Sequence, residues 1–233
     1  MIASQLIERR NFLKTASTAA GLMTIVGGLG GAENLGADIG SAIAQKQNEA
    51  AEKTLVELEA QAAKYLNMPR KDGAFLSLMI KATRAKNVLE VGTAHGYGTI
   101  WISQGLGETD GKLTTIEILS ERVELAKKHV SQAGLNHRVT FNEGNAHEIV
   151  PTLIGPFDFV LLNADKDGQL DYFRKLYPTK LAPGGIIAVH KAISRKEPMK
   201  EFLEMINKHP DFDSVVLSLT MEDGFSVSHR KRK

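Results

Sequence analysis

Two acids and a run of glycines mark where this chain can do chemistry. Asn87-Val88-Leu89-Glu90-Val91 is a short apolar run carrying one carboxylate, followed by Gly92-Thr93-Ala94-His95-Gly96-Tyr97-Gly98. Glycines at such a turn let a ligand approach the backbone, and the helix start beyond them offers free N–H groups. The spacing is not the G-x-G-x-x-G of a pyrophosphate-binding turn, and there is no G-K-[ST]. An acid ahead of the first glycine is wrong for pyrophosphate and suits a cofactor with a positive amino group. A second acid, Glu117, ends the apolar segment 112–118, where a carboxylate can accept both hydroxyls of a ribose. Gly144-Asn145-Ala146 and Asn163-Ala164-Asp165-Lys166-Asp167 follow two further apolar segments.

These groups need a scaffold that brings strand ends together. From Lys86 the sequence alternates strand-like and helix-like segments. Strands are predicted over 87–91, 112–118, 139–141, 157–162 and 186–189, then 214–219 and 225–228. Helices are predicted after the glycine turn, over 120–132 with Ser120 as N-cap, over 145–153, over 170–181 and near 198–208. Near-continuous apolar strands separated by helices argue for a parallel sheet covered on both faces. The last two strands are close enough for an antiparallel hairpin. Two helices precede this alternation. One spans 45–66, and the next has Asp72 as a candidate cap and Phe75, Leu76, Leu78, Met79 and Ile80 as its apolar face. The fold class is α/β: a Rossmann-like, seven-stranded, mostly parallel sheet with a C-terminal antiparallel hairpin.

The 233 residues suit one sizeable domain with a tail, and a net charge of +2 with 42% hydrophobic residues calls for no nucleic acid. The basic cluster His229-Arg230-Lys231-Arg232-Lys233 reads as a solvated end. With no cysteine, thiol catalysis, disulfides and thiolate metal sites are excluded. Residues 1–44 differ from the rest. Arg9-Arg10-Asn11-Phe12-Leu13-Lys14, a weakly apolar stretch and Ala42-Ile43-Ala44 resemble a twin-arginine export signal with its cleavage site. Glu8 departs from that pattern at its first position, and the stretch is too polar for a spanning helix. The expectation is an exported protein whose functional domain is 45–233, against the alternative of a cytoplasmic protein with an N-terminal extension.

Taken together, LEVGTAHGYG, FDFVLLNADKD, LAPGGIIAV and EDGFSVS resemble the caffeoyl-CoA and catechol O-methyltransferase family of class I S-adenosylmethionine-dependent enzymes, over about residues 68–230. The resemblance implies S-adenosylmethionine as cofactor, a small phenolic acceptor and a homodimer. It implies that Glu90, Gly92, Gly96 and Gly98 form the methionine-side turn and that Glu117 holds the ribose. Ala146 and His147 would lie at the adenine, and Asp165 near the methionine amino group. Lys166 falls where the family keeps the lysine that takes the substrate's hydroxyl proton. The spacing of Gly92 to Gly98 and the acid ahead of it argue against a dehydrogenase of similar architecture.

The family's divalent cation is held by an Asp and an adjacent Asp-Asn pair, and here those positions are Asn163, His190 and Lys191. Two anionic charges are gone and an ammonium has arrived, so magnesium or calcium is not expected. A softer ion on His190 with Asp165 is the remaining metal reading. The expected mechanism is metal-free: Lys191 supplies the cation's charge, and Lys166 or His190 acts as base. Converging cations depress one another's pKa and favour a neutral base. The alternative is a cofactor-binding protein of the same fold whose catalysis has decayed.

Overall fold

The structure is a computed structural model that describes residues 29–61, 65, 67–219 and 223–232. The arginine pair of the export signal lies outside these residues, whereas 42–44 falls inside helix α1 (Leu29–Glu59). The compact unit that carries the sheet spans residues 47–233. Helix α1 stops at Glu59, short of the expected 66. The Leu58 carbonyl there accepts from the Gln61 N–H and the Asn67 side chain, which turns the chain. Among the described residues no helix is long and apolar enough to cross a membrane.

After α2 (Arg70–Thr83) the chain alternates as the apolar pattern requires. In order come β1 (Asn87–Val91), α3 (Tyr97–Gly107), β2 (Lys112–Glu117), α4 (Ser120–Gln132) and β3 (Val139–Glu143). Then follow α5 (Ala146–Ile149), β4 (Phe157–Leu162), α6 (Gln169–Leu176), β5 (Leu181–His190), α7 (Lys200–Lys208), β6 (Phe212–Leu217) and β7 (Phe225–Arg230). The seven strands form one sheet in the order β3-β2-β1-β4-β5-β7-β6. The pairs among β1 to β5 are parallel, and β7 runs antiparallel to both β5 and β6.

Strand alternation sends successive side chains to opposite faces. Val88, Phe159 and Leu161 pack with Leu55, Leu76, Ile80 and Ile100, while Leu89, Val91, Val160 and Leu162 pack with Phe173, Phe202 and Ile206. Each fully buried side chain of this size stabilises the fold by roughly 1.5–3 kcal/mol. Having apolar side chains on both faces is what makes these strands read as unbroken apolar runs.

Several boundaries differ from the sequence expectation. Helix α6 ends at Leu176 rather than 181, because Pro178 disfavours helical geometry at Tyr177, which is extended. Strand β5 begins at Leu181 and takes Pro183-Gly184-Gly185 into the strand, at a register irregularity opposite β4. Leu119, not Ser120, is the N-cap of α4, and the Ser120 hydroxyl donates to Glu143 instead. Asp72 does not cap α2, whose N-cap is Pro69; its side chain is fully buried. Leu78 is exposed rather than part of the apolar face.

Candidate active site

The carboxyl ends of β1 to β4 surround a cavity of about 550 Å³. Its lining includes Gly92, Ala94, Glu117, Ala146, His147 and Asp165. Ligands bind at this edge of parallel sheets because the βα loops diverge there.

Each residue is positioned by a local cause. Gly92 has φ +97, and a Cβ there would lie 2.8 Å from the Asn163 carbonyl, so only glycine lets β1 and β4 end side by side. Gly96 packs on Ala126 of α4, and Gly98 faces the Glu90 carboxylate. The Glu117 carboxylate accepts the N–H groups of Ala94 (2.9 Å), Ile118 (3.0 Å) and Leu119 (3.1 Å). This fixes it at the cavity wall with the anion satisfied.

Glu90 is buried below this wall and accepts from the hydroxyls of Thr99 (2.6 Å) and Thr115 (2.8 Å). Burial pushes its pKa up to about 7, against the two hydroxyl hydrogen bonds. Glu90, Gly96 and Gly98 therefore support the turn from beneath, while Gly92, Glu117, Ala146, His147 and Asp165 line the cavity. Asn145, of the Gly144-Asn145-Ala146 group, joins the lining, as do Ile118, Arg122 and Tyr172, which were not singled out in the sequence. Ile118 carried a readable signal, being an apolar residue directly after an acidic strand end, and the structure leaves it 62% exposed.

His147 sits between two carboxylates. Its N–H is capped by the Asn145 side chain at 3.0 Å, Nδ1 lies 2.5 Å from Asp171, and Nε2 lies 3.1 Å from Asp165. The ring stacks on Tyr172 with centroids 4.2 Å apart, and the Tyr172 hydroxyl donates to Asp165 at 2.6 Å. Burial raises the Asp165 pKa, but these hydrogen bonds outweigh it and hold the carboxyl below its ordinary range.

The ends of β4 and β5 form a second cluster. Lys166 donates to Asn163 Oδ1 at 3.4 Å, and His190 Nδ1 lies 3.2 Å from the same oxygen. Burial, then the neighbouring Lys191 ammonium, lower the Lys166 pKa to about 8, against the pull of Asp165 and Asp223. His190 is fully buried, packed on Phe225, with Nε2 2.8 Å from Asp72. Lys191 follows with a left-handed backbone, φ 68. The structure thus brings Asn163, Lys166 and His190 together and sets Lys191 near enough to act on Lys166.

The Asp72–His190 pair was missed in the sequence, although Asp72, Leu76 and Ile80 share one buried helix stripe at four-residue spacing. An acid on such a stripe needs a buried partner.

The position of the family's cation does not fit magnesium or calcium here. Asn163 Oδ1 already accepts from Lys166, His190 is an imidazole, and Lys191 is a cation. The cofactor cavity does fit S-adenosylmethionine. Glu117 offers its carboxylate at a strand end, Asp165 a second one, and Ile116 and Ile118 supply apolar walls.

Fold and cavity together define a cofactor-binding α/β transferase. The chain belongs to the O-methyltransferase family, whose model matches residues 42–231, and it is an S-adenosylmethionine-dependent enzyme. It is 30% identical over 210 residues to a catechol O-methyltransferase of Mycobacterium tuberculosis, covering 83% of this chain and 90% of the relative. It is 31% identical over 180 residues to caffeoyl-CoA O-methyltransferase 1 of Nicotiana tabacum, covering 68% of this chain and 75% of that one. Among solved structures, it is similar to the O-methyltransferase from Bacillus cereus in complex with SAH. The TM-score is 0.70 and the identity 28%, covering 77% of this chain and 91% of that one. An O-methyltransferase from Streptomyces achromogenes in complex with SAM gives a TM-score of 0.69 at 27% identity, covering 79% and 90%.

Proposed function

We propose that this enzyme methylates a small phenolic, catechol-like hydroxyl without the magnesium or calcium that its family resemblance would imply. The observation that carries the reading is Lys166, an amine whose pKa is lowered to about 8 beside the cofactor cavity. S-adenosylmethionine, held by Glu117, Asp165 and the Gly92 turn, supplies a methyl group on a cationic sulfur for in-line transfer.

A phenol is a poor nucleophile until it loses its proton. Neutral Lys166 takes that proton on Nζ, and the acceptor oxygen keeps the electron pair that forms its new bond to carbon, while the pair of the broken carbon–sulfur bond would stay on sulfur and leave a neutral thioether. Lys191 plays two parts: its charge favours the neutral form of Lys166 and stabilises the phenolate. His190 is too buried to meet the acceptor and acts through Asn163, whose oxygen orients Lys166. Residues 1–44 are proposed as an export signal, tested by an intact mass beginning at Gln45, and the homodimer is tested by light scattering.

The test is methyl transfer to catechol from S-adenosylmethionine, with magnesium or with EDTA. The expected result is equal turnover in both, lost in Lys191→Ala. Turnover that needs magnesium, or full activity in Lys191→Ala, overturns the metal-free mechanism. No turnover by a protein that still binds S-adenosylhomocysteine supports the decayed alternative.

A further inference from the structure

The fully buried Asp72 carboxylate is out of balance. Oδ2 meets His190 Nε2 at 2.8 Å, while Oδ1 is buried with no hydrogen-bond partner. Asp223 brings a second carboxylate to the same ring nitrogen, with Oδ2 3.7 Å from Nε2. Its other oxygen accepts from the Ser194 hydroxyl at 2.8 Å, which leaves Oδ2 for this cluster. One ligand atom from each of the three residues lies within 4.8 Å of the others. The residues come from α2, the end of β5 and the loop before β7, so the tertiary fold alone assembles them.

The state of the His190 ring follows from its other nitrogen. Asn163 Oδ1 is fixed as an acceptor because the Lys166 ammonium donates to it. His190 Nδ1, 3.2 Å from that oxygen, must therefore carry the hydrogen. Nε2 is then free to offer a lone pair, yet it faces two carboxylates. Three acceptors pointed at one another require a positive centre between them. A single proton on Nε2 reaches Asp72 Oδ2 and leaves Asp72 Oδ1 and Asp223 Oδ2 unanswered. A divalent ion taking one atom from each residue satisfies Nε2 and one oxygen of each carboxylate, and balances the charge of the two carboxylates.

An imidazole whose far N–H is held by a carbonyl oxygen is also the usual second-shell arrangement of a metal-bound histidine. One nitrogen and two carboxylates suit zinc or a similar transition ion, not the all-oxygen preference of magnesium.

We infer that Asp72, His190 and Asp223 form a transition-metal site that ties α2, the end of β5 and the β6–β7 loop together beside the acceptor region. The ligand set differs from the position treated above, where Asn163 and Lys191 would have to take part. The site stands independently of the phenolic, metal-free reading of methyl transfer.

The test is zinc binding to the full chain, by equilibrium dialysis with metal analysis, alongside thermal unfolding. Wild type is expected to bind one zinc ion per chain and to unfold at higher temperature with zinc present. Asp72→Asn and Asp223→Asn should each weaken binding at least about 100-fold, and Asn163→Ala by about 10–100-fold through loss of the outer hydrogen bond. Cobalt in place of zinc should give a visible absorption band that Asp223→Asn abolishes. Affinity for S-adenosylhomocysteine checks that each variant is folded. No zinc binding by wild type, or binding that both aspartate variants retain, overturns the site. A doubly protonated His190 in nitrogen NMR of the zinc-treated protein also overturns it, since a proton then fills the gap. Metal content and unfolding report on this site, whereas turnover reports on the methyl-transfer mechanism.

Discussion

The ends of β1 to β3 and the ends of β4 and β5 are built on different principles. On the first side, Glu117 is held by three backbone N–H groups and Glu90 by two hydroxyls from adjacent elements. On the second, side chains hold side chains: His190 meets Asp72 across 118 positions of sequence, and Asn163 joins His190 to Lys166. A site made of backbone groups tolerates little variation and keeps one ligand. A site made of side-chain pairs can be rewired by a few substitutions while the sheet beneath stays the same. The first side carries the acid-and-glycine turn on which the sequence resemblance rests, and the second carries Asn163, His190 and Lys191, where that resemblance breaks.

Lys166→Met should divide the two sides most sharply. Turnover is expected to fall about 10²–10⁴-fold, the usual worth of a general base, with affinity for S-adenosylhomocysteine unchanged by calorimetry. A matching loss of affinity would break the division. The pH profile sharpens it further. Lys166 must be neutral to act, so wild-type turnover should rise with pH and level off above about 8. In Lys191→Ala any residual activity should show that limb at higher pH, because one cause of the lowered pKa is gone.

Glu117→Gln should do the reverse of the lysine change. Affinity for the cofactor should fall about tenfold or more, as expected when a hydrogen bond to a charged group is lost, while turnover at saturating cofactor holds. A separate effect, on stability rather than on the reaction, is expected at Glu90, read by denaturant unfolding without cofactor. Its pKa is raised from 4.5 to about 7 in the folded protein, so the folded state keeps a proton that the unfolded state releases between those values. That contribution to stability is full below 4.5 and is lost as pH rises through about 7. Glu90→Gln, which mimics the protonated form, should gain on wild type as the pH is raised across this window. A constant difference would show that Glu90 does not titrate there.

The same division decided what could be read from the sequence. The strands were legible because burial on both faces leaves unbroken apolar runs, and the Gly92 turn because its glycine and acid are local. Glu117 was legible as the acid at a strand end. The Asp72–His190 pair was not, since nothing local to position 190 points to position 72. His147 was placed at the adenine by resemblance, but its position between Asp165 and Asp171 needed α6 to be built first. The errors at Ser120 and Leu181 have a smaller cause. A hydroxyl that could cap its own helix found an acid on β3, and a Pro-Gly-Gly expected to separate a helix from a strand was absorbed into the strand.

Strand β7 lies between β5 and β6, though it is the last of the three in sequence. On the ribosome, the cofactor side has all its strands once β4 has emerged. Strand β5 then waits with an open edge until residues 225–230 are made and slot in beside it. His190, paired with Phe225 across that last junction, cannot be enclosed before then. The nascent chain can thus be competent to bind its cofactor well before its acceptor side is closed, and a ribosome stalled short of β7 would display a half-built enzyme.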